Sequence, residues 1–505
     1  MSYRDKYADE IEGLFYDLEN RIMLDIVRRI KKEGQITSTA DYQLNRLTDL
    51  GYSSDELESS LKKALKASYS DIWGLYDDIV ENEYTRNKTI YEQINGHFVP
   101  YEENEQLQQQ VEAARRQTEN DFENLTKTLG VVETVGGQMT FLPLTEYYRK
   151  TLNNAVLDIV SGAFDYNTVL RRTVNTLTNS GIRTIDYASG YSSRLPVAAR
   201  RAIMTAASQI TGEISEMNAE KLGTEYFEVT YHSGARPSHR RWQGRVYTRD
   251  ELVSVCGLGE KTGLKGINCY HEYYPFIPGV SKRKYSDKWL REQAKQDDKK
   301  REFKGKKYTA YEARQKQRQM ETSMRAQRQK AKLLEESGAD LQDVIAAKAR
   351  YQGQIQEYKQ FSEAMNIKAQ MERVYIDNVG RVALSNKEYQ RYQTDAIIRK
   401  ELKDAGVPGK VHASPTGLKL NKLKLESQHI NDERGHDVSL VEAKRFIKNA
   451  SFSTTVWNGK YERYYSHEGA AYVNKWENTI RTAYKKTEFD DKTKGFMEVM
   501  KKHGR

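Results

Sequence analysis

From residue 286 to about 376 the chain is written largely in Gln, Lys, Arg, Glu and Ala, as in YTAYEARQKQRQMETSMRAQRQKAKLLEE and VIAAKARYQGQIQEYKQFSEAM. Good helix formers fill most of these positions, and ESGAD between the two runs reads as a loop, so the text predicts two long antiparallel helices. Such a hairpin needs helical neighbours, and the residues before it supply them. Ile11, Leu14, Phe15, Leu18, Ile22, Ile26 and Ile30 recur at steps of three and four, the stripe of one amphipathic helix. Ser53 and Glu56 have capping-box spacing ahead of Leu57, Leu61, Leu65 and Ile72. Glutamine-rich 105–128, Thr145 to about Val160, and Pro196 to Leu222 with Gly223 as its stop continue the helical text. Val131 to Leu142, folded about Gly136 and Gly137 and ended by Pro143, is a short β-hairpin signal.

A chain of 505 residues exceeds one ordinary core. The expected fold is mainly α and multidomain with small β elements, a long basic helical hairpin and a C-terminal small α+β domain. The units run 1–130 (helical), 131–285 (core), 286–376 (basic hairpin), 377–410 (linker, with the turn-rich Asp404 to Gly409) and 411–505. With 30% charged and 38% hydrophobic residues, no apolar run of about 18 and no apolar signal core after Met1, neither membrane insertion nor secretion is expected. Synthesis in a reducing cytoplasm follows, so Cys256 and Cys269, the two cysteines, are read as free thiols or metal ligands.

The net charge of +10 is uneven: counting Lys and Arg against Asp and Glu, residues 281–330 carry +11 and residues 401–505 carry +6. A local excess of this kind suits contact with a polyanion such as DNA or RNA; a solvated helix face is the competing reading.

Residues 224–280 break the helical pattern. They hold both cysteines and three of the nine histidines among Gly, Pro and aromatic residues. Cys256, Cys269 and His271, with His239 or His232, offer the sulfur and imidazole ligands that zinc uses, although no Cys-x-x-Cys pair is present. The preferred reading is a hydrogen-bonded His and buried Cys cluster that holds a Gly-rich loop, with structural zinc as the alternative. No other cofactor is expected, and no acid/base pair for catalysis is evident here.

The run Tyr231-His-Ser-Gly-Ala-Arg-Pro-Ser-His239, then Trp242-Gln-Gly-Arg-Val-Tyr247, Cys256-Gly-Leu-Gly, Asn268-Cys-Tyr-His271 and Tyr274-Pro-Phe-Ile-Pro-Gly279, resembles the phage minor capsid protein 2 family. It is more distantly similar to the head-morphogenesis domain of the F-like proteins of Mu-type phages. Ile185-Asp-Tyr-Ala-Ser-Gly190, Ala198-Ala-Arg-Arg201, Tyr308-Thr-Ala-Tyr-Glu-Ala313 and Arg314-Gln-Lys-Gln-Arg318 match in order, so the resemblance spans roughly 1–385. It makes His232, Gly234, Arg236, His239, Trp242, Gly244 and Asn268 the structural motif. It implies a low-copy virion protein at the portal vertex inside the capsid, made in the host bacterium and acting in head assembly or genome delivery. Its partners would be portal and capsid proteins, with phage DNA or host RNA on the basic segments.

The last hundred residues read differently. Ser439 to Asn449 is a short amphipathic helix, followed by β-type stretches at Ser451–Trp457, Tyr461–Ser466, Ala470–Val473 and Thr479–Tyr484 with Asn458-Gly459 as a hairpin turn. Gln428-His429-Ile430, Arg434-Gly-His436, Tyr464-Tyr-Ser466, Ala471-Tyr-Val473 and Ile480-Arg-Thr-Ala-Tyr484 resemble the small nucleases of the barnase, EndoU, RNA-cleaving colicin and RelE kind. The resemblance implies metal-independent RNA cleavage, with His429 first and His436 second for acid/base work, Arg434 on phosphate charge, and Ser466, Thr482 and Tyr484 as hydrogen-bond donors. Tyr464, Tyr465 and Trp457 are candidates to stack on bases. An inert domain that binds DNA or portal is the alternative. An ADP-ribosyltransferase, suggested by Ser451-Phe-Ser-Thr454, lacks the Glu-x-Glu or Gln-x-Glu pair expected to follow.

Overall fold

The computed structural model describes residues 3–33, 69–84, 88, 91, 97–160, 166–186, 190–267, 269–457 and 459–505. The expected capping box at Ser53 and Glu56 lies outside them, as does Asn268.

Helix Tyr3–Glu33 buries Ile11, Phe15, Leu18, Ile22, Ile26 and Ile30, and only Leu14 of that stripe is exposed. It packs on Leu195–Lys221, whose Pro196 sits in the first turn, where its missing N–H costs nothing. Gly223, at φ +63°, ends that helix in the left-handed conformation. Glu105–Lys127 packs on the same helix. Between them, β1 (Leu129–Val135), β2 (Gln138–Pro143), β3 (Arg183–Asp186) and β4 (Tyr191–Arg194) form an antiparallel sheet in the order β2-β1-β3-β4.

Helices Ala310–Glu336 and Leu341–Ala364 run antiparallel about the turn at Ser337–Asp340. Gln327 donates to the Ala347 carbonyl, Tyr358 to Glu321 and Gln317 to Ser362. The first begins on a capping box, Thr309 with Glu312. They are not a solvated arm. Met324, Ala331, Leu333, Leu334, Val344, Tyr351 and Tyr358 share one apolar core with helix 3–33 and helix 195–221.

This corrects the reading of the basic hairpin. Arg325 and Arg328, which look like surface cations in sequence, are buried: Arg328 grips Asp377 through two hydrogen bonds of 2.8 and 3.0 Å and lies over Tyr375, while Arg325 lies over Tyr16. The region that was to be one hairpin from 286 also divides, into helix Asp287–Asp298, a ribbon of β8 (Arg301–Phe303) and β9 (Lys306–Tyr308), and only then the paired helices. Exposed cations concentrate before those helices, at Lys282, Arg283, Lys284, Lys288, Arg291, Lys295, Lys299, Lys300, Lys304, Lys306 and Lys307.

Residues 377–410 are not a linker. Asp377 is fully buried, and Asn386–Asp404 is a 19-residue helix capped by Ser385 and Glu388. Its Ile398 and Leu402 enter the C-terminal core beside Val411, Phe452, Phe496 and Met500. That core lies on a six-stranded sheet of β10 (Lys410–His412), β11 (Lys424–Leu425), β12 (Phe452–Val456), β13 (Tyr461–Tyr465), β14 (Gly469–Asn474) and β15 (Thr479–Lys485), ordered β10-β12-β13-β14-β15-β11. Only the β11–β15 pair is parallel. Helix Leu440–Lys448 covers Tyr464, Ala471, Val473, Ile480 and Ala483 on one face, while helices 386–404 and Asp491–Lys502 cover Phe452, Tyr465 and Ala470 on the other.

A fragment of residues 385–505 is therefore expected to unfold cooperatively. A fragment of 405–505 loses Ile398 and Leu402, each worth about 2–5 kcal/mol as a buried aliphatic side chain, and is expected to lose its cooperative urea transition. Equal midpoints for the two fragments would contradict the placement of that helix.

Candidate functional site

The central module joins β5 (Tyr226–Val229), β6 (Val246–Thr248) and β7 (Tyr273–Phe276) in the order β6-β5-β7 over a small core of Phe227, Val229, Trp242, Leu252, Cys256, Leu264 and Tyr273. The motif residues cooperate through backbone geometry. Gly234 has φ +69°, and a Cβ there would come within 2.6 Å of Arg314 Cδ; its N–H, the Ser233 hydroxyl and the Tyr231 hydroxyl all donate to buried Asp297. Gly244, at φ +73°, leaves room for Leu290. Arg236 donates to the Ile267 carbonyl at 2.6 Å, tying the loop before β7 to the loop after β5.

At the centre stand His239, Cys269 and His271, their Nδ1, Sγ and Nδ1 atoms separated by 3.4, 3.6 and 3.7 Å. Trp242 packs against both imidazoles, and His232 meets the His271 ring edge to face. Burial, with the nearby His232, His239 and Arg236, pushes His271 down to about 2, and burial also lowers His239, so both rings are neutral near pH 7. Burial raises the Cys269 thiol. Cys256 does not join them. It is buried in the module's core and its thiol is pushed up to about 12, so the expectation of a four-member set with Cys256 is corrected.

In the C-terminal domain, strand alternation decides which candidates meet. Arg463 pairs with Tyr472, Tyr472 with Thr482, and Ala470 with Tyr484, so all of these side chains stand on the face opposite helix 440–448. Tyr465, Tyr472 and Tyr484 form a chain of hydroxyls at 3.4 and 2.9 Å, and the Arg463 guanidinium lies 4.9 Å over the Tyr472 ring. The segment 425–437 runs beside β15: Leu425 pairs with Ile480, Glu426 binds Arg481, His436 packs on Tyr484 with ring centroids 5.7 Å apart, and Asp437 binds Lys485. Both sequence-selected histidines lie on this segment and each is held by a carboxylate, His429 Nδ1 by Glu433 at 2.8 Å and His436 Nδ1 by Glu488 at 2.7 Å. Arg434 is exposed in the turn between them.

Ser466 is not part of this site. It is fully buried and closes the β13–β14 turn, donating to the Gly469 carbonyl and accepting from the N–H groups of Glu468 and Gly469. Of the proposed stackers, Tyr464 and Tyr465 are buried and only Trp457 is exposed. The strand behind the ADP-ribosyltransferase reading is also committed inward, because Ser453 and Thr455 both donate to fully buried Glu462 and Thr455 meets buried His412.

Residues 2–362 match the family model described as Phage minor capsid protein 2. The chain belongs to that family. The match takes in the Gly-rich module, the His and Cys cluster and both helices of the hairpin almost to their end, so this minor capsid protein's C-terminal sheet domain lies beyond the matched span. No curated protein and no solved structure is found similar to the chain. Among the described residues of this minor capsid protein, no helix is long and apolar enough to cross a membrane. Sequence reasoning missed Arg463 and gave Tyr472, within the quoted Ala471-Tyr-Val473, no role, although period-two alternation across β13, β14 and β15 was the signal that joins them to Thr482 and Tyr484.

Proposed function

We propose that the protein is a structural component of the phage virion that acts at the portal vertex in head assembly and genome delivery, related in role to the F-like head-morphogenesis proteins, and that residues 385–505 add a metal-independent ribonuclease. Family membership supports the first part. The exposed cations at 282–307 give the body sequence-blind, salt-sensitive contacts for packaged DNA. Mass spectrometry and asymmetric reconstruction of purified particles should find it in low copy against the portal, and its absence from both procapsids and mature particles would overturn this.

The observation that carries the second part is the alignment of two carboxylate-held histidines along the strand that presents Thr482 and Tyr484, with Arg463 two strands away on the same sheet face, over Tyr472. A carboxylate only accepts, so His429 and His436 donate Nδ1–H hydrogen bonds to Glu433 and Glu488, and Nε2 is the atom that exchanges protons. His436 takes the proton from an RNA 2′-OH, whose oxygen attacks phosphorus; the 5′-oxygen leaves and takes a proton from His429 as the imidazolium. Products are a 2′,3′-cyclic phosphate and a free 5′-OH. Arg463 and the Thr482 hydroxyl stabilise the charge on the phosphorane oxygens. The full chain should degrade single-stranded RNA and leave DNA, which lacks the 2′-OH, intact. Binding of both without cleavage of either would leave a virion-anchoring module instead.

Ser466→Ala separates structure from chemistry. Losing the hydroxyl leaves the buried Gly469 N–H and the half-buried Glu468 N–H without that acceptor, an expected cost of about 1–3 kcal/mol in the urea stability of 385–505, with RNA cleavage per folded molecule unchanged.

A further inference from the structure

His239, Cys269 and His271 pose a hydrogen-bonding problem that neutral side chains do not solve. His239 Nε2 lies 2.8 Å from the Thr262 carbonyl, which only accepts, so that nitrogen carries the proton. His271 Nε2 lies 2.9 Å from Gln243 Oε1, and the same oxygen accepts the His232 backbone N–H at 2.9 Å, which fixes it as the amide oxygen and makes His271 Nε2 a donor too. Both Nδ1 lone pairs therefore face each other across 3.4 Å, with the Cys269 sulfur 3.6 and 3.7 Å away. One thiol proton can satisfy one of the two nitrogens. The other is left as a lone pair against a lone pair, in a site where His239 and His271 are 2% and 3% exposed.

A cation at the centre satisfies all three. Tetrahedral zinc with Zn–N of about 2.0–2.1 Å and Zn–S of about 2.3 Å requires N···N edges of about 3.3 Å and N···S edges of about 3.5 Å, close to the spacings observed. The outward N–H of each imidazole already has its acceptor, the arrangement that orients histidines at metal sites. We infer that His239, Cys269 and His271 are three ligands of a zinc ion, with solvent in the fourth position. Thiolate and imidazole together favour zinc over the hard divalent cations. The ion would join the short helix Pro237–Arg240 to the loop before β7, in a module whose strands are three or four residues long and whose core is small. That is the setting in which a metal supplies the cross-link that packing does not.

The test is metal analysis of the full chain, purified from zinc-supplemented cells and dialysed. Stoichiometric zinc is expected in the wild type and in Cys256→Ser, and loss of it in Cys269→Ala and His271→Ala. If those two variants do not fold, cobalt substitution of the wild type and of Cys256→Ser decides: both should show the thiolate-to-cobalt charge-transfer band and strong tetrahedral d–d absorption. A folded wild type that retains no zinc and gives no such band overturns the inference, as does Cys269→Ala with stoichiometric zinc.

Discussion

Replacing Glu19 by Ala is expected to destabilise the N-terminal body by about 3–5 kcal/mol, because it leaves a buried guanidinium without its counter-ion. Glu19 is fully buried, and both its oxygens accept from Arg194 Nη2 at 2.9 Å. One oxygen also accepts from the Ile182 N–H at 2.8 Å and the other from Gln329 Nε2 at 2.9 Å. Four parts of the chain meet there: helix 3–33, the turn into β3, the end of β4, and helix 310–336. Such a pair contributes little net stability over well-packed apolar groups, yet removing one member strands the other. The double variant Glu19→Ala, Arg194→Met should therefore recover much of the loss. Urea titration followed by helical circular dichroism reads both. A single variant with the wild-type midpoint, or a double variant as unstable as the single, contradicts the pairing.

His436→Ala is expected to slow RNA cleavage by about 10²- to 10⁴-fold at unchanged fold, the range for losing a positioned general acid or base. Its ring sits on Tyr484 and its Nδ1 on Glu488, so Glu488→Gln is the companion variant. It keeps the size of the partner but offers an amide in place of a carboxylate, and a smaller loss in kcat is expected with RNA binding intact. Equal activity in wild type and His436→Ala, with the domain folded in both, removes this histidine from the chemistry.

Much of the helical body was legible because burial there follows an apolar stripe, as in Ile11 through Ile30, and because the glycines at 136, 137 and 223 mark turns and a helix end that require positive φ. What escaped was the part of the core built from charge. Arg325 and Arg328 belong to a run whose composition is that of a solvated surface, and only their partners, Tyr16, Asp377 and Tyr375, drawn from distant segments, reveal that they are internal. Helix 386–404 escaped for a related reason: among its many polar residues only Asp395, Ile398 and Leu402 are buried, too narrow a face to read as amphipathic. In the C-terminal domain a residue's type could be read from the sequence and its geometry could not. Ser466 follows a strand, as a hydroxyl donor of a nuclease would, but its oxygen is occupied by the turn it closes. Cys256 and Cys269 are close in sequence, yet the fold sends one thiol into the apolar core and the other to two histidines.

The claim that this capsid chain carries its own RNA-cleaving domain is tested most directly by the ends that residues 385–505 leave on RNA. In EDTA, on several single-stranded RNAs and on tRNA, the fragment should yield 2′,3′-cyclic phosphates and 5′-hydroxyls, and cleavage at a chosen position should vanish when that nucleotide's 2′-OH is replaced by hydrogen. Intact RNA after incubation with the folded fragment, cleavage that persists at the deoxy position, or products with 5′-phosphates would contradict the account.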